Sequence, residues 1–169
     1  MSVLMALALL AQATSLDYST QVPDWKIMTG TTDCSMATSY DSGAELYVTY
    51  NSNNSEVSIS VLDKKFASIE RGTEYDLKMV FVGITPDQDR TWPSVKATGM
   101  VLDEHTKGFM INGDTLMLDA VANSQLVGFK RGNIIVDSLR LKGSKAAVAV
   151  LRRCAAEMAR LHPIDPFAP

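Results

Sequence analysis

Cysteine and histidine are scarce in this chain: 169 residues hold two of each. Cys34 and Cys154 stand 120 positions apart, which excludes the clustered ligand spacing of a cysteine metal site. A phosphate-binding glycine loop, a nucleophile elbow and a His-Glu-x-x-His helix are also missing, so the common nucleotide-binding, hydrolase and metalloprotease signatures do not apply. The apolar run Val3 to Ala11 holds nine residues, short of the roughly 20 that a bilayer-spanning helix requires. Internal repeats and low-complexity stretches are absent. Charged residues make up 21% with a net charge of −3, too little imbalance to imply a nucleic-acid or membrane partner by itself.

What is there fits one ordinary domain. Apolar residues make up 46% of the chain, and this length buries a real core without the help of metals or many disulfides. Val3 to Ala11 is followed by Ala11-Gln12-Ala13, the small-x-small pattern that signal peptidase accepts. Residues 1–13 are therefore expected to be a signal peptide and 14–169 a single globular domain. The alternative is a buried N-terminal strand or helix, because no Lys or Arg precedes the run. In an oxidising compartment the natural pairing is a Cys34–Cys154 disulfide, which closes a loop worth about 4–5 kcal/mol in the chain-entropy model. In a reducing one the same pair would be two buried thiols. The signal-like start favours the disulfide, and with it a periplasmic or secreted protein.

Periodicity gives the fold class. Leu46, Val48 and Tyr50, then Val57, Ile59 and Val61, alternate with polar residues around Asn51-Ser52-Asn53-Asn54-Ser55, which predicts a hairpin. Phe66 to Ile69 is expected as a short strand. Tyr75 to Val82 is expected as a central strand, since both its faces turn apolar near the end. Thr85 to Pro93 is expected as a polar loop and Val95 to Leu102 as a strand. Phe109, Gly113, Leu116, Met117, Ala120 and Val121 follow helical spacing, which predicts a short helix near 109–122. Gln125 to Phe129 and Asn133 to Leu139 flank Arg131-Gly132 as a second hairpin. Ala147, Val150, Leu151, Cys154, Met158 and Leu161 then form one stripe of a C-terminal helix over 143–161, with Ser144 as its cap and His162, Pro163 and Pro166 ending it. Strands grouped before helices predict an α+β fold: a mostly antiparallel, sandwich-like sheet with the C-terminal helix packed on it.

Candidates for chemistry are few. Asp87-Gln88-Asp89 has alternating oxygen ligands but lacks the later glycine and glutamate of a calcium loop. Asp103-Glu104-His105 offers an acid/base set, yet neighbours on a strand point to opposite faces. A small hydrolase or metal-dependent enzyme built on Asp87, Asp89, Asp103, Glu104 or His105 is the alternative reading. It needs those groups to meet in one pocket. His162 at a helix C-terminus is explained by the helix dipole. Asn53-Asn54-Ser55 matches the N-glycosylation acceptor. Trp92, in a polar setting, either folds back on the sheet or is offered to a partner.

Half of the 16 basic residues lie between Lys130 and Arg160, where the only acids are Asp137 and Glu157. Lys130, Arg131, Arg140, Lys142, Lys145, Arg152, Arg153 and Arg160 are either the solvated side of two amphipathic elements or a positive face on the second hairpin and last helix. Such a face suits a partner protein or an anionic envelope component. No aromatic interleaving provides a base-stacking platform, so nucleic acid is not expected. No cofactor or metal is called for.

Leu141-Lys142-Gly143-Ser144, followed by Ala147, Leu151 and Cys154, with an early Trp25, resembles small exported envelope proteins of alphaproteobacteria, the invasion-associated locus B-like proteins. The likeness covers mainly the last quarter of the chain. It implies an envelope or secreted protein without established catalytic residues. The function expected is therefore that of a non-catalytic exported binding or accessory protein, contacting its partner through the basic hairpin and helix face with Trp92 as an added anchor. A third expectation is a structural subunit of a larger envelope assembly, in which a neighbouring chain covers exposed strand edges.

Overall fold

Alternating apolar residues build nine strands among the described residues, and each buries one face. The computed structural model of the chain describes Tyr18 and residues 22–163. The expected leader, residues 1–13, and Pro166 of the tail lie outside the described residues. In chain order the elements are β1 (Lys26–Thr29), β2 (Cys34–Ser39), β3 (Glu45–Asn51), β4 (Glu56–Leu62), β5 (Glu74–Gly83), β6 (Arg90–Val101), β7 (Lys107–Gly113), α1 (Thr115–Asn123), β8 (Ser124–Arg131), β9 (Ile134–Arg140) and α2 (Ser144–Leu161). A short 3-10 turn, Pro86–Gln88, joins β5 to β6.

The fold is α+β, as the grouping of strands and helices predicts. All nine strands lie in one antiparallel sheet in the order β1-β2-β3-β4-β7-β6-β5-β8-β9. The sheet curls until its two ends meet. The Tyr40 hydroxyl, just after β2, donates to the Arg140 carbonyl at 2.7 Å, and the Trp25 indole N–H, just before β1, donates to the Lys142 carbonyl at 2.8 Å. Inside the curl the phenyl rings of Phe109 and Phe129 meet edge to face at 5.1 Å, among Met36, Leu46, Ile59, Met79, Phe81 and Ile111, all buried.

Helix α2 packs on β1, β2 and β3, while α1 packs on β4, β5 and β8 and against α2. Ala147, Val150, Leu151 and Cys154 face the core as their spacing requires. Leu161 is 53% exposed, so the stripe loses its cover before the helix ends. Cys34 at the start of β2 and Cys154 on α2 form a disulfide, their Cα atoms 6.1 Å apart. It fastens the helix to the sheet in the middle of the core.

Several boundaries differ from expectation, each for a local reason. Phe109 to Gly113 belongs to β7, paired with both β4 and β6; its apolar residues fit a strand period as well as a helical one, and two-sided pairing decides it. The helix begins at Thr115, where the Asp114 carboxylate accepts the Leu116 N–H at 2.9 Å. Phe66 to Ile69 is no strand. Two successive turns, Phe66 N–H to Asp63 O and Ile69 N–H to Phe66 O, carry that segment and press the Phe66 ring onto Phe109 at 5.6 Å. Strand β6 starts at Arg90 and so takes in Trp92 and Pro93, with the ladder shifting between Leu77 and Met79; a bulge is where a strand tolerates proline, which has no N–H to pair. Ser144 does not cap α2. Gly143 occupies that position with φ +76°, and the Ser144 hydroxyl donates instead to the Val121 carbonyl at 2.8 Å, joining α2 to the last turn of α1.

Candidate functional site

The acidic candidates are occupied in turns, and the chain keeps them apart. One Asp89 carboxylate oxygen accepts the Gly83 N–H at 2.8 Å, and the Gln88 side-chain oxygen accepts from Ile84 and Thr85. Asp87 is held below the usual carboxylate range by its hydrogen bond to Thr85 and by backbone donation. Asp103 accepts the backbone N–H groups of His105 and Thr106 at 2.8 and 2.7 Å, which lower its pKa in the same sense. Asp87 and Asp89 precede the first residue of β6 and Asp103, Glu104 and His105 follow its last. Twelve residues of strand set the two groups about 35–40 Å apart. Among the described residues no group of three or more His, Cys, Asp or Glu is placed to hold a metal ion.

Trp92 folds back. Its ring meets Phe81 edge-on at 5.4 Å, leaving it half-buried beside the exposed Leu116 of α1.

The basic residues separate into groups. Lys130 and Arg131 sit at the tip of the β8–β9 hairpin, and the Arg131 guanidinium lies over the Tyr75 ring at 5.4 Å. Arg152 is paired with Asp119 of α1 at 2.6 Å, Arg160 with Glu157 at 2.8 Å, and Arg153 lies over the Tyr18 ring at 5.9 Å. Arg140, Lys142 and Lys145 gather at the other end of the hairpin, about 20 Å from its tip along β9, where that strand turns into α2. Lys142 reaches Asp24 at 3.3 Å with 87% of its side chain exposed. Neither Arg140 nor Lys145 has an acidic partner among the described residues.

These three cations border a groove of about 630 Å³. Strand pairing explains its opposite wall. Val82 stands opposite Leu126, and Leu126 opposite Arg140, so the three form one row on the outer face of the sheet. Ile84 extends the wall. Val82 is 41% and Ile84 65% exposed. Ser124, the residue that joins α1 to β8, also lines the groove. It is only 5% exposed, and its hydroxyl has no hydrogen-bond partner. The start of α2 has no side-chain cap; the Ser144 N–H turns back to the Leu141 carbonyl at 3.1 Å, which leaves the next amides of the first turn, those of Lys145 and Ala146, to meet an anion.

Sequence reasoning named the three cations but missed Val82, Ile84, Ser124 and Leu126. One signal was legible. β5 turns apolar on both faces toward its end, which reads as full burial but in the folded chain is an uncovered outer face.

The fold defines the chain as an α+β protein with a curled antiparallel sheet, a disulfide to its C-terminal helix and, among the described residues, no helix long and apolar enough to cross a membrane. No family model, curated protein or solved structure matches it.

Proposed function

We propose that this chain is a non-catalytic exported binding or accessory protein of the bacterial cell envelope, which contacts an anionic partner through Arg140, Lys142 and Lys145. One observation carries the reading: three cations converge on one groove, and two of them lack an acidic partner among the described residues. Uncompensated charge of one sign beside a concave apolar wall favours a partner of the opposite sign. The Cys34–Cys154 bridge supports an oxidising destination, and the resemblance to invasion-associated locus B-like proteins points to the same compartment.

Retention on a carboxylate-bearing matrix against a neutral one, followed as salt is raised, tests the contact. The wild-type chain is expected to bind the charged matrix and release with salt. Replacing Arg140, Lys142 and Lys145 together by Gln is expected to abolish retention, whereas Lys130→Gln with Arg131→Gln leaves most of it. Equal loss from both variants would mean that net charge, not this groove, holds the partner.

A further inference from the structure

The groove is more than a positive patch. A bare anion such as phosphate would use the cations and leave the wall of Val82, Ile84 and Leu126 in water. A peptide added as a strand would bond backbone groups at a sheet edge and leave unused the outward-facing side chains that make the wall, and at Leu126, the middle of that row, β8 is paired on both sides. The occupant that uses every feature has one charged end and one apolar length.

We propose that the groove takes a single-chain amphiphile with a carboxylate head, a long-chain fatty acid. Its head lies between Arg140 and Lys145 and accepts from the buried Ser124 hydroxyl, and its chain runs along Val82, Ile84 and Leu126. This rests on the reading of the groove as an anion-binding contact and names the ligand class. Ser124 carries the specific part. A buried hydroxyl without a partner costs stability; Ser124 lines the groove with its hydroxyl enclosed, so rotating that hydroxyl toward an arriving carboxylate oxygen satisfies it. The cations add charge-assisted hydrogen bonds, and the start of α2, whose Gly143, Ser144 and Lys145 line the groove, adds the positive end of the helix dipole. Val82 and Leu126 belong to β5 and β8 of the sheet itself and Ile84 directly follows β5, so the wall is formed before the ligand arrives. A volume of about 630 Å³ lies within the range of roughly 300–1,000 Å³ that small-molecule clefts occupy.

Titration calorimetry of the full, disulfide-bonded chain tests this with three probes: laurate below its micelle concentration, acetate as the head alone, and dodecanol as the chain alone. Laurate is expected to bind at least about tenfold more tightly than either of the others. Arg140→Gln with Lys145→Gln, and separately Ile84→Glu, are expected to weaken laurate by about tenfold or more. Both alter exposed side chains, so folding is preserved and circular dichroism verifies it. Arg131→Gln, at the far hairpin tip, is expected to change nothing. If acetate matches laurate, or Ile84→Glu leaves laurate binding intact, the amphiphile is wrong while retention on the carboxylate matrix still stands. If laurate does not bind and the matrix does not retain the protein, both readings fall together.

Discussion

At the scale of single residues, the contacts that close the curled sheet are few and individually replaceable. Tyr40 is one. Its hydroxyl donates to the Arg140 carbonyl at 2.7 Å, and burial, then the negative charge of Asp137, push its pKa well above the ordinary 10.0. A group whose folded value is raised contributes its stability in full below the unfolded value and loses it as pH climbs toward the folded one. The contribution of Tyr40 is therefore intact at neutral pH and fades above about pH 10. Tyr47, hydrogen-bonded to Glu45, is raised in the same sense. For Lys65 burial pulls the value down, but the bonds and charges of Asp137 and Asp63 outweigh it and the net shift is upward; its contribution is lost in the same alkaline direction. Tyr40→Phe is expected to lower stability by about 0.5–1.5 kcal/mol at neutral pH, the value of one hydrogen bond, and to flatten the alkaline fall. Urea midpoints from neutral pH to beyond about pH 11 measure both. An unchanged alkaline slope would assign the fall to Tyr47 and Lys65 instead. Gly143 is a second critical residue. Its φ of +76° belongs to the left-handed region that side chains resist, and the Trp25 ring lies beside the space a Cβ would enter.

Among elements, α2 is the piece most in need of fastening, because it covers β1, β2 and β3 at the far end of the chain from them. Three ties of two kinds fasten it. The Cys34–Cys154 bridge joins it to β2, the Ser144 hydroxyl joins it to α1, and the β3–β4 turn joins it through Ser52, whose hydroxyl donates to the Ala155 carbonyl at 2.8 Å. The bridge closes a loop of 120 positions, long enough that constraint of the unfolded chain dominates its effect. Replacing both cysteines by Ala is expected to cost about 2–5 kcal/mol, read as a lower urea midpoint. Buried Val148, Leu151 and Ala155 still hold the helix on the sheet, so far-ultraviolet circular dichroism of the variant is expected to match the parent. A loss of helix signal in mild denaturant would show that packing alone does not keep α2 in place.

For the whole molecule, the consequence of curling is that residues from the two ends of the sheet meet. Trp25, Tyr40 and Asp24 reach Lys142 and Arg140, and the groove opens beside this junction. The proposed export is tested on the whole molecule too, since a Cys34–Cys154 bridge is consistent with an oxidising compartment. The intact mass of protein purified from its source is expected to begin at Thr14 and to gain two hydrogens on reduction. A mass that includes residues 1–13 with two free thiols would overturn the exported reading.

Much of this was determined by the sequence alone. Alternation over Leu46 to Val61 set the first hairpin, Arg131-Gly132 the second, and the three- and four-residue steps from Ala147 to Cys154 the buried face of α2, because side-chain direction along a strand or helix follows from backbone period. The cysteine pairing was legible because two cysteines allow one intramolecular bridge. Tertiary structure decided the rest. Phe109 to Gly113 fits two periods, and pairing on both sides selected the strand. The basic residues read as one set, but strand length separated Lys130 and Arg131 from Arg140, Lys142 and Lys145. The groove was invisible in the chain because its parts come from β5, the α1–β8 junction and the β9–α2 turn, brought together only by strand order and curl. Val82 and Leu126 are apolar in any conformation; the sheet's long-range pairing is what places them, uncovered, in one row with Arg140.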